Sequence, residues 1–371
     1  MLNRQCFLII AFLVINYFSF EPNLKAQANG TIDTEISQAM LDTLNKYALL
    51  YPDNTQFALA VVKNDKVSFA GVLKINGGLT FINNKDSVFE IGSISKVFTS
   101  TILSNLILEN KIAANEQIGN TLPFKLNPFE EDASKITFKS LSNHTSGLPS
   151  YPSNLDSVAR LNPLNPYVEY DDSLLKEYLT TELSLQTIPN TKYEYSNLGY
   201  GLLGYLLELK TGEKYENLLQ KFVFEKYNMP FSSSRKCNIL NYLVKGHDKE
   251  GEVVSNWDFN IHNATGACFS STRDLSMFVL ANFSNDSVLN FQRQKTFRVE
   301  NNDIDLAFAW HIYRKEETKW YFHNGGTGGY RSNITMDLEK KNAVILLVNC
   351  VYGQSGRHLE NISWKLLQSI E

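Results

Sequence analysis

Strand-forming patterns stand at both ends of this 371-residue chain, and helical patterns fill the stretch between them. Near the amino end, residues 57–62 and 67–73 are rich in apolar and β-branched residues and flank the turn Asn64-Asp65-Lys66. Similar runs near the carboxyl end cover residues 306–313, 320–323, 330–337 and 343–349. Because folds avoid unpaired strand edges, we expect the two ends of the chain to share one sheet.

The middle of the chain has apolar residues at helical spacing. The predicted helices cover residues 35–50, 170–183, 196–209, 215–227, 272–283 and 358–370. Thr272 is the expected N-cap of its helix. We therefore expect an α/β chain of the α+β type that forms one unit over 27–371. Its sheet region covers about 31–92 and 300–371, and a mostly helical insert covers about 93–299.

The first 26 residues have the layout of a secretory signal rather than of a folded segment. Arg4 precedes an apolar run at 6–20, and the small residues Ala26 and Ala28 follow where signal peptidase can cut. The run is short for a membrane span, so an uncleaved anchor is the weaker alternative. We expect export to the periplasm or the extracellular space, with no membrane association beyond the cleaved signal.

Composition excludes several classes of partner. The chain is 43% hydrophobic and 20% charged, its formal net charge is −4, and it has no basic run, so no nucleic-acid partner is expected. Its histidines lack the spacing of metal motifs, and we expect neither a metal nor a cofactor. Cys237, Cys268 and Cys350 stand far apart, which favours buried free thiols, with a single disulfide as the alternative.

A serine three residues before a lysine occurs at Ser93, Ser173 and Ser233. Only Ser93 follows an apolar run and a glycine and opens a helical pattern. Residues i and i+3 share a helix face, so Lys96 can reach Ser93. The N-terminus of a helix offers unpaired N–H groups to an oxyanion, and a buried lysine can lose its proton and act as a base. The competing interpretation of Ser93 alone is a helix cap.

A second motif, Tyr195-Ser196-Asn197, stands just before a predicted helix. A tyrosine near a lysine ammonium can have a lowered pKa and serve in proton transfer. Asn197 can donate a hydrogen bond to a substrate amide and accept one from it. Taken alone, Tyr195 would more often be a core aromatic residue.

A third motif, His-Asn-Gly-Gly-Thr-Gly-Gly at 323–329, lies between two predicted strands. Glycines at a strand edge let a ligand approach the backbone closely. A backbone N–H in this run can pair with that of Ser93 as an oxyanion hole. The competing interpretation is a glycine-rich hairpin turn.

Together, the three motifs resemble those of the penicillin-recognising serine hydrolases, especially class C β-lactamases and their relatives. The run Phe-Glu-Ile-Gly-Ser-Ile-Ser-Lys at 89–96 is similar to the class C active-site signature, and Y-x-N is the middle motif of that branch. The segments 141–149, 264–275 and 308–310 also fit. The resemblance runs from about Gln56 to the C-terminus. It implies an antiparallel sheet flanked by helices, β-lactamase/transpeptidase-like, with the active site in a groove beside the insert.

The resemblance also implies a role for each motif residue. Ser93 is the expected nucleophile, Lys96 or Tyr195 takes its proton, and Tyr195 protonates the leaving group. The expected substrate-binding residues are Asn197, His323, Gly325 and Gly326, the last through a backbone N–H that completes the oxyanion hole with Ser93. We interpret His144 as part of the scaffold.

One motif departs from the family pattern. β-Lactamases of this branch usually have Lys-Thr-Gly where this chain has His323-Asn324-Gly325, and histidine is only partly charged at neutral pH. H-x-G is common in relatives that act as esterases, D-amino-acid peptidases or DD-peptidases. We expect a class C-type β-lactamase that acts on a small-molecule substrate through acyl-Ser93. The alternatives are a DD-peptidase, D-aminopeptidase or small-ester esterase, and, from another class, a muropeptide or β-lactam sensor that stays acylated.

Overall fold

The computed structural model describes residues 36–300, 302–352 and 357–370. The predicted secretory signal at 1–26 and the first residues of the predicted sheet region lie outside these ranges. Across the described ranges, no helix has the length and apolar character needed to cross a membrane.

The described ranges contain strands near both ends and most of the helices between them. The strands are β1 (Gln56–Lys63), β2 (Lys66–Ile75), β3 (Gly78–Ile82), β4 (Phe89–Glu90), β5 (Gly246–His247), β6 (Val253–Val254), β7 (Phe269–Ser270), β8 (Phe297–Arg298), β9 (Ile304–Leu306), β10 (His311–Lys315), β11 (Thr318–Gly326), β12 (Arg331–Asp337) and β13 (Asn342–Val348). The helices are α1 (Gln38–Ala48), α2 (Ser95–Leu108), α3 (Phe138–Ser142), α4 (Leu155–Ala159), α5 (Asp172–Glu177), α6 (Asn197–Thr211), α7 (Tyr215–Leu219), α8 (Asn263–Gly266), α9 (Thr272–Phe283), α10 (Ser287–Gln292) and α11 (Arg357–Gln368).

The two ends of the chain meet in one antiparallel sheet, as the sequence predicted. Its nine strands lie in the order β3-β2-β1-β13-β12-β11-β10-β9-β8. β1 pairs with β13, and Phe57 lies opposite Val348. The tight turn between β1 and β2 contains Asn64 and Asp65 at φ values of 48° and 64°. These left-handed conformations match the twist of the two flanking strands.

β1 and β13 lie in the middle of the sheet, and helices cover both of its faces. Successive side chains of a strand point to opposite faces. Ala58 and Ala60 therefore join the large core beneath the helical insert. Phe57 and Leu59 join a second core, which α1 and α11 cover. Burial on both faces explains why β1 has an almost unbroken apolar sequence.

α2 is the central helix of the insert and is buried on every side. All residues from Ser95 to Leu106 are buried. Most of its polar side chains have buried partners, as with the Thr99 and Tyr215 hydroxyl groups, which lie 2.8 Å apart, whereas the Ser104 hydroxyl has none within the described ranges. A buried helix with most of its polar groups paired is a rigid support for Ser93 at its N-terminal end.

Several predicted boundaries were wrong. The run at 306–313 is two strands, β9 and β10, separated by a reversal in which Ala309 adopts a φ of 68°. The reversal was missed because its residues are apolar and buried, like those of a strand. β4 does not belong to the large sheet and pairs instead with β7. The N-cap of α9 is Ser271, whose hydroxyl accepts the Asp274 N–H at 3.2 Å, and not Thr272.

Candidate active site

Ser93 lies in a 3₁₀ turn, Gly92–Ile94, that joins β4 to α2. The sequence predicted that Ser93 opens the helix, and the structure places it two residues before α2 begins. Gly92 has a φ of 50°, and a Cβ at this position would lie 2.5 Å from the Gly326 nitrogen. A glycine is therefore required here, both for the left-handed backbone and for the close approach of β11.

Lys96 lies in the first turn of α2 and is completely buried. Its Nζ is 2.9 Å from Ser93 Oγ, 2.9 Å from Asn197 Oδ1 and 2.7 Å from the Thr265 carbonyl oxygen. The Asn197 and Thr265 oxygens only accept hydrogen bonds, whereas the Ser93 hydroxyl can also donate one. An ammonium can donate to all three oxygens, whereas a neutral amine can donate to two of them and accept the Ser93 hydroxyl with its lone pair.

Burial also decides the charge of Lys96. Loss of water contacts disfavours the ammonium and lowers the pKa of Lys96 well below its ordinary value. The Nζ lies 5.1 Å from the ring centroid of Tyr195 and 5.6 Å from that of Tyr200, contacts that favour the cation. They oppose the effect of burial, and the net lowering of the pKa of Lys96 favours the neutral amine.

Tyr195 lies in the loop before α6 and next to Ser93. Burial raises the pKa of the Tyr195 hydroxyl above its ordinary value, and hydrogen bonding with Ser93 opposes the shift only in part. The expectation of a lowered pKa for this tyrosine was therefore wrong. It assumed a charged Lys96, but burial disfavours that charge. A tyrosine that keeps its proton is suited to donate it.

Asn197 is the first residue of α6, and Ser196 is its N-cap. The Ser196 hydroxyl accepts the Gly199 N–H at 2.8 Å, which fixes the start of the helix. The Asn197 carbonyl accepts the Thr265 hydroxyl at 3.0 Å, and its side-chain Oδ1 faces Lys96. These contacts leave the Nδ2 group of Asn197 as a donor for a substrate.

The His-Asn-Gly-Gly residues lie in β11 itself, and the hairpin turn begins only at Thr327. β11 pairs with β10 only as far as Phe322, which lies opposite His311, so within the described ranges the last four residues of β11 have a partner strand on one side. On that side, the Thr327 N–H bonds to the Tyr330 carbonyl at 3.1 Å. Because the N–H groups of a strand alternate, that of Gly326 points away from β12, toward the Ser93 turn.

Gly325 permits a close approach between β11 and the Ser93 turn. A Cβ on Gly325 would lie 2.0 Å from the Ile91 carbonyl oxygen and 2.9 Å from the Ser93 nitrogen. Gly92 and Gly325 thus bring the Ser93 and Gly326 nitrogens to neighbouring positions. Two backbone N–H groups beside a hydroxyl are the arrangement that an oxyanion hole needs.

His323 is buried, and its imidazole is neutral. Its Nδ1 donates to the Asn324 carbonyl at 2.7 Å, and its Nε2 has no partner within the described ranges. Burial lowers the pKa of His323 well below its ordinary value. The partial charge that the sequence suggested for this position is therefore absent at neutral pH.

His144 supports the loop that carries Tyr195, which agrees with its interpretation as scaffold. The His144 carbonyl accepts the Glu194 N–H at 2.9 Å, and its Nδ1 accepts the Ser196 N–H at 3.1 Å. These two hydrogen bonds stand on either side of Tyr195 in the sequence.

Sequence reasoning missed one buried acid. Glu90 is 3% exposed and lies three residues before Ser93. Its Oε1 accepts the Trp257 N–H at 3.0 Å, and burial raises the pKa of Glu90 to about 7. A glutamate inside the apolar run 88–91 was the available signal, because a carboxyl group is rarely buried without a partner.

Across the described ranges, no group of three His, Cys, Asp or Glu side chains is placed to hold a metal ion. The cysteines Cys237, Cys268 and Cys350 are free. Cys268 and Cys350 are buried, as expected, but Cys237 is exposed, so the predicted burial was wrong for that residue.

Comparison with known proteins places this arrangement in a family. The Beta-lactamase family model matches residues 54–368. Protein flp of Staphylococcus aureus (strain NCTC 8325 / PS 47) is 24% identical over 334 residues, which cover 85% of this chain. The match covers 64% of Protein flp, so this chain spans less than two thirds of that relative's length.

Solved structures share the fold. A class C beta-lactamase aligns with a TM-score of 0.75 and 19% identity over 92% of this chain and 99% of its own. A beta-lactamase/D-alanine carboxypeptidase from Pseudomonas syringae aligns with a TM-score of 0.74 and 19% identity, over 91% and 99% of the two chains. The predicted β-lactamase/transpeptidase-like fold is confirmed. Since the family model also covers most of its length, this chain belongs to the beta-lactamase family of serine hydrolases.

Proposed function

We propose that this chain is an acyl hydrolase that forms a covalent acyl-enzyme at Ser93. The observation that carries the proposal is the set of contacts around Lys96. Its two acceptor-only partners, Asn197 Oδ1 and the Thr265 carbonyl, take the two N–H groups of a neutral amine. The remaining contact, at 2.9 Å, is the Ser93 hydroxyl, which can give up its proton to the lone pair.

In the acylation step, the Ser93 proton passes to Lys96 as Oγ attacks the substrate carbonyl carbon. The oxyanion accepts hydrogen bonds from the Ser93 and Gly326 N–H groups. When the intermediate collapses, the bond to the leaving nitrogen or oxygen breaks, and that atom takes a proton from Tyr195. Lys96 then returns a proton to Tyr195. The raised pKa of Tyr195 supports its role as a donor.

Deacylation uses the same groups. Water attacks the acyl carbonyl and gives its proton to Lys96. The carboxylic acid product leaves as Ser93 Oγ recovers a proton from Lys96, which restores the starting state. Asn197 Nδ2 and the backbone at Gly325 are the proposed contacts for the substrate amide, and the unpaired Nε2 of His323 is an acceptor for a substrate N–H or O–H.

The lead substrate class is a β-lactam amide. Membership of the beta-lactamase family and the shared fold with a class C beta-lactamase support this choice. A D-amino-acid peptide is supported by the likeness to the Pseudomonas syringae protein, whose name includes D-alanine carboxypeptidase.

A specific observation favours a third class, a small ester. The imidazole of His323 is neutral, so it supplies no fixed charge for a substrate carboxylate. The binding of an ester without a carboxylate does not depend on such a charge. His323→Lys tests the point: the lysine variant should improve on β-lactams but not on neutral esters. If His323→Lys changed the activity on β-lactams and on neutral esters equally, the charge at this position would not determine substrate specificity.

Time-resolved intact mass of residues 27–371 mixed with benzylpenicillin tests the proposal, with Ser93→Ala as the control. A mass gain that is absent from Ser93→Ala and decays with product release supports a β-lactamase. A gain that persists supports a DD-peptidase or a non-turnover sensor of β-lactams or muropeptides. If penicillin, D-peptide and ester substrates all leave the wild-type mass unchanged, Ser93 is not the nucleophile proposed here.

A further inference from the structure

Glu90 is a buried carboxyl group that the proposed chemistry does not use. It ends β4, and only two residues separate it from Ser93. Its Oε1 is held by the Trp257 N–H at 3.0 Å. Burying a carboxyl group has a large desolvation cost, so the groups around its second oxygen indicate what this side chain holds in place.

The hairpin turn after β11 supplies one of the polar groups that act on Glu90. The Thr327 hydroxyl and the Asn256 side chain both lower the pKa of Glu90, against the larger raising effect of burial. Glu90 Oε2 and Thr327 Oγ1 are both buried, and neither reaches full hydrogen-bond geometry with any group in the described ranges. The Thr327 hydroxyl can donate and the Glu90 oxygen can accept, so a hydrogen bond between them would satisfy two buried polar groups.

Thr327 directly follows Gly326, so the position of Thr327 affects that of the Gly326 N–H. Its N–H bonds to the Tyr330 carbonyl at 3.1 Å, and its carbonyl accepts Arg331 Nη1 at 2.9 Å. With the turn fixed in this way, a shift of the Thr327 side chain moves the Gly326 N–H. Glu90 also precedes Ser93 by only three residues, and Gly92 between them packs against Gly326.

We propose that Glu90 is a positioning residue for the oxyanion hole: its carboxyl group joins the strand before Ser93 to the residue after Gly326 and so sets the spacing of the two N–H donors. The inference rests on the proposed function, because only an enzyme that stabilises an oxyanion needs this spacing. Glu90 does not touch the reacting atoms. It acts through the backbone on either side.

Three variants separate this role from simple support of the fold. Glu90→Ala removes both contacts. Glu90→Gln keeps an acceptor for the Trp257 N–H and an amide that can bond the Thr327 hydroxyl, and Thr327→Val removes that hydroxyl alone. Asp274→Asn is the matched control, since Asp274 is also a buried carboxyl and its bonds go to Ser232 and the Phe231 N–H.

The experiment measures the rate at which a fluorophosphonate probe labels the protein, together with kcat, KM and Tm. A displacement of about 1 Å at a catalytic group can lower the rate about a hundredfold. We expect Glu90→Ala to lose labelling rate and kcat on that scale with little change in KM, because the donors act on the transition state. Glu90→Gln should keep most of the wild-type labelling rate. Thr327→Val should lower the rate as Glu90→Ala does, and the double variant should be no slower than Glu90→Ala alone. Asp274→Asn should change Tm only.

Several results would overturn the inference. If the wild type is labelled and Glu90→Ala and Thr327→Val are labelled at the same rate, the role of Glu90 is refuted. The proposed function is then unaffected. Equal losses in Glu90→Gln and Glu90→Ala would also refute it. If the wild type is not labelled at all, the proposed function fails, and hydrogen exchange decides the inference. Faster exchange of the Gly326 and Thr327 amides in Glu90→Ala supports the link, and unchanged exchange rejects it.

Discussion

The imidazole of His144 stacks on the ring of Tyr195, with their centroids 4.2 Å apart and their planes 29° from parallel. Together with the hydrogen bonds to Glu194 and Ser196, the stack holds Tyr195 from three directions. His144 has a φ of 58°, which is strained for a residue with a side chain. Burial and these contacts hold it there, so the position of Tyr195 depends on His144.

Replacing His144 with Asn tests that dependence. Asn tolerates a positive φ, so the loop can keep its course while the stacked ring is lost. We expect acylation to slow about tenfold to a hundredfold, because Tyr195 is no longer held at the leaving group. Stopped-flow acylation rates and Tm check this. A variant that melts earlier but acylates at the wild-type rate would limit His144 to fold stability.

Lys96→Arg tests the base proposed for Ser93. A guanidinium stays protonated at any working pH, so it cannot take the Ser93 proton. We expect acylation to fall about 10²- to 10⁴-fold, the usual contribution of a general base. Intact-mass kinetics give the rate, and circular dichroism shows whether the fold is kept. Rapid acylation of a folded Lys96→Arg protein would assign the base to another residue.

Gly92→Ala tests the contact between the serine turn and β11, with Gly77→Ala as its control. Both glycines have positive φ, at 50° and 73°, but a Cβ at Gly77 meets open space. The left-handed strain, about 1–2 kcal/mol, is therefore common to both variants. We expect Gly77→Ala to lose only that stability and to keep its activity. Gly92→Ala should lose more stability and nearly all activity, because its Cβ displaces Gly326. Similar behaviour of the two variants would show that the contact is unimportant.

Buried histidines make the fold sensitive to acid. Burial lowers the pKa values of His262 and His311 to about 4, and those of His144 and His323 also lie well below 6.5. Below pH 6.5 the unfolded chain binds protons that the folded chain does not, so each histidine lowers the free energy of unfolding by about 1.4 kcal/mol per pH unit.

Two buried carboxyl groups act in the opposite direction. Burial raises the pKa of Glu90 to about 7 and that of Asp274 to about 6, so the folded chain binds these protons before the unfolded chain does. Four histidines outweigh two acids, and we expect stability to fall as the pH drops from 6.5 toward 4. Urea midpoints at successive pH values measure this. Constant or rising midpoints over this range would contradict the expectation.

His262→Phe should stabilise the protein, and more so in acid. Both ring nitrogens of His262 are buried without partners within the described ranges, and the ring stacks on Tyr170 at 4.8 Å. Phenylalanine keeps the stack and removes the unsatisfied nitrogens, a gain of about 1–3 kcal/mol. The difference in unfolding free energy from the wild type should be larger at pH 5 than at pH 7. A smaller difference at pH 5 would show that His262 is protonated in the fold.

The sequence predicted those features that local spacing determines. Ser93 and Lys96 are three residues apart at the start of a helix, so their contact follows from helix geometry. The turn at Asn64 and Asp65 could be predicted from its residue types. The sharing of one sheet by both ends of the chain could be predicted from the need to pair strand edges. The reversal at Ala309 did not, because burial gives a turn and a strand the same apolar composition.

Other features of the site depend on contacts between distant segments. The Thr265 carbonyl that bonds Lys96 is a backbone atom, and no side chain in the sequence marks it. The neutral state of His323 and the raised pKa of Tyr195 follow from burial, which appears only in the folded chain. Glu90 was visible as an acid in an apolar run, but its partners come from the Trp257 segment and the β11–β12 turn.

The pairing of β1 with β13 has a consequence for biosynthesis. Phe57 meets Val348, so the central strand pair cannot form until nearly the whole chain has left the ribosome. Pairing across such a distance slows folding, and the waiting β1 edge is open to chaperones and to aggregation. α1 and α11 are neighbours, since Lys365 donates to the Tyr47 hydroxyl at 2.7 Å and Ser37 and Ile370 line one cavity, so a linker can join the start of α1 to the end of α11. A circular permutant reopened within the insert would make β13 and β1 near neighbours in sequence, and it should fold faster than the natural order.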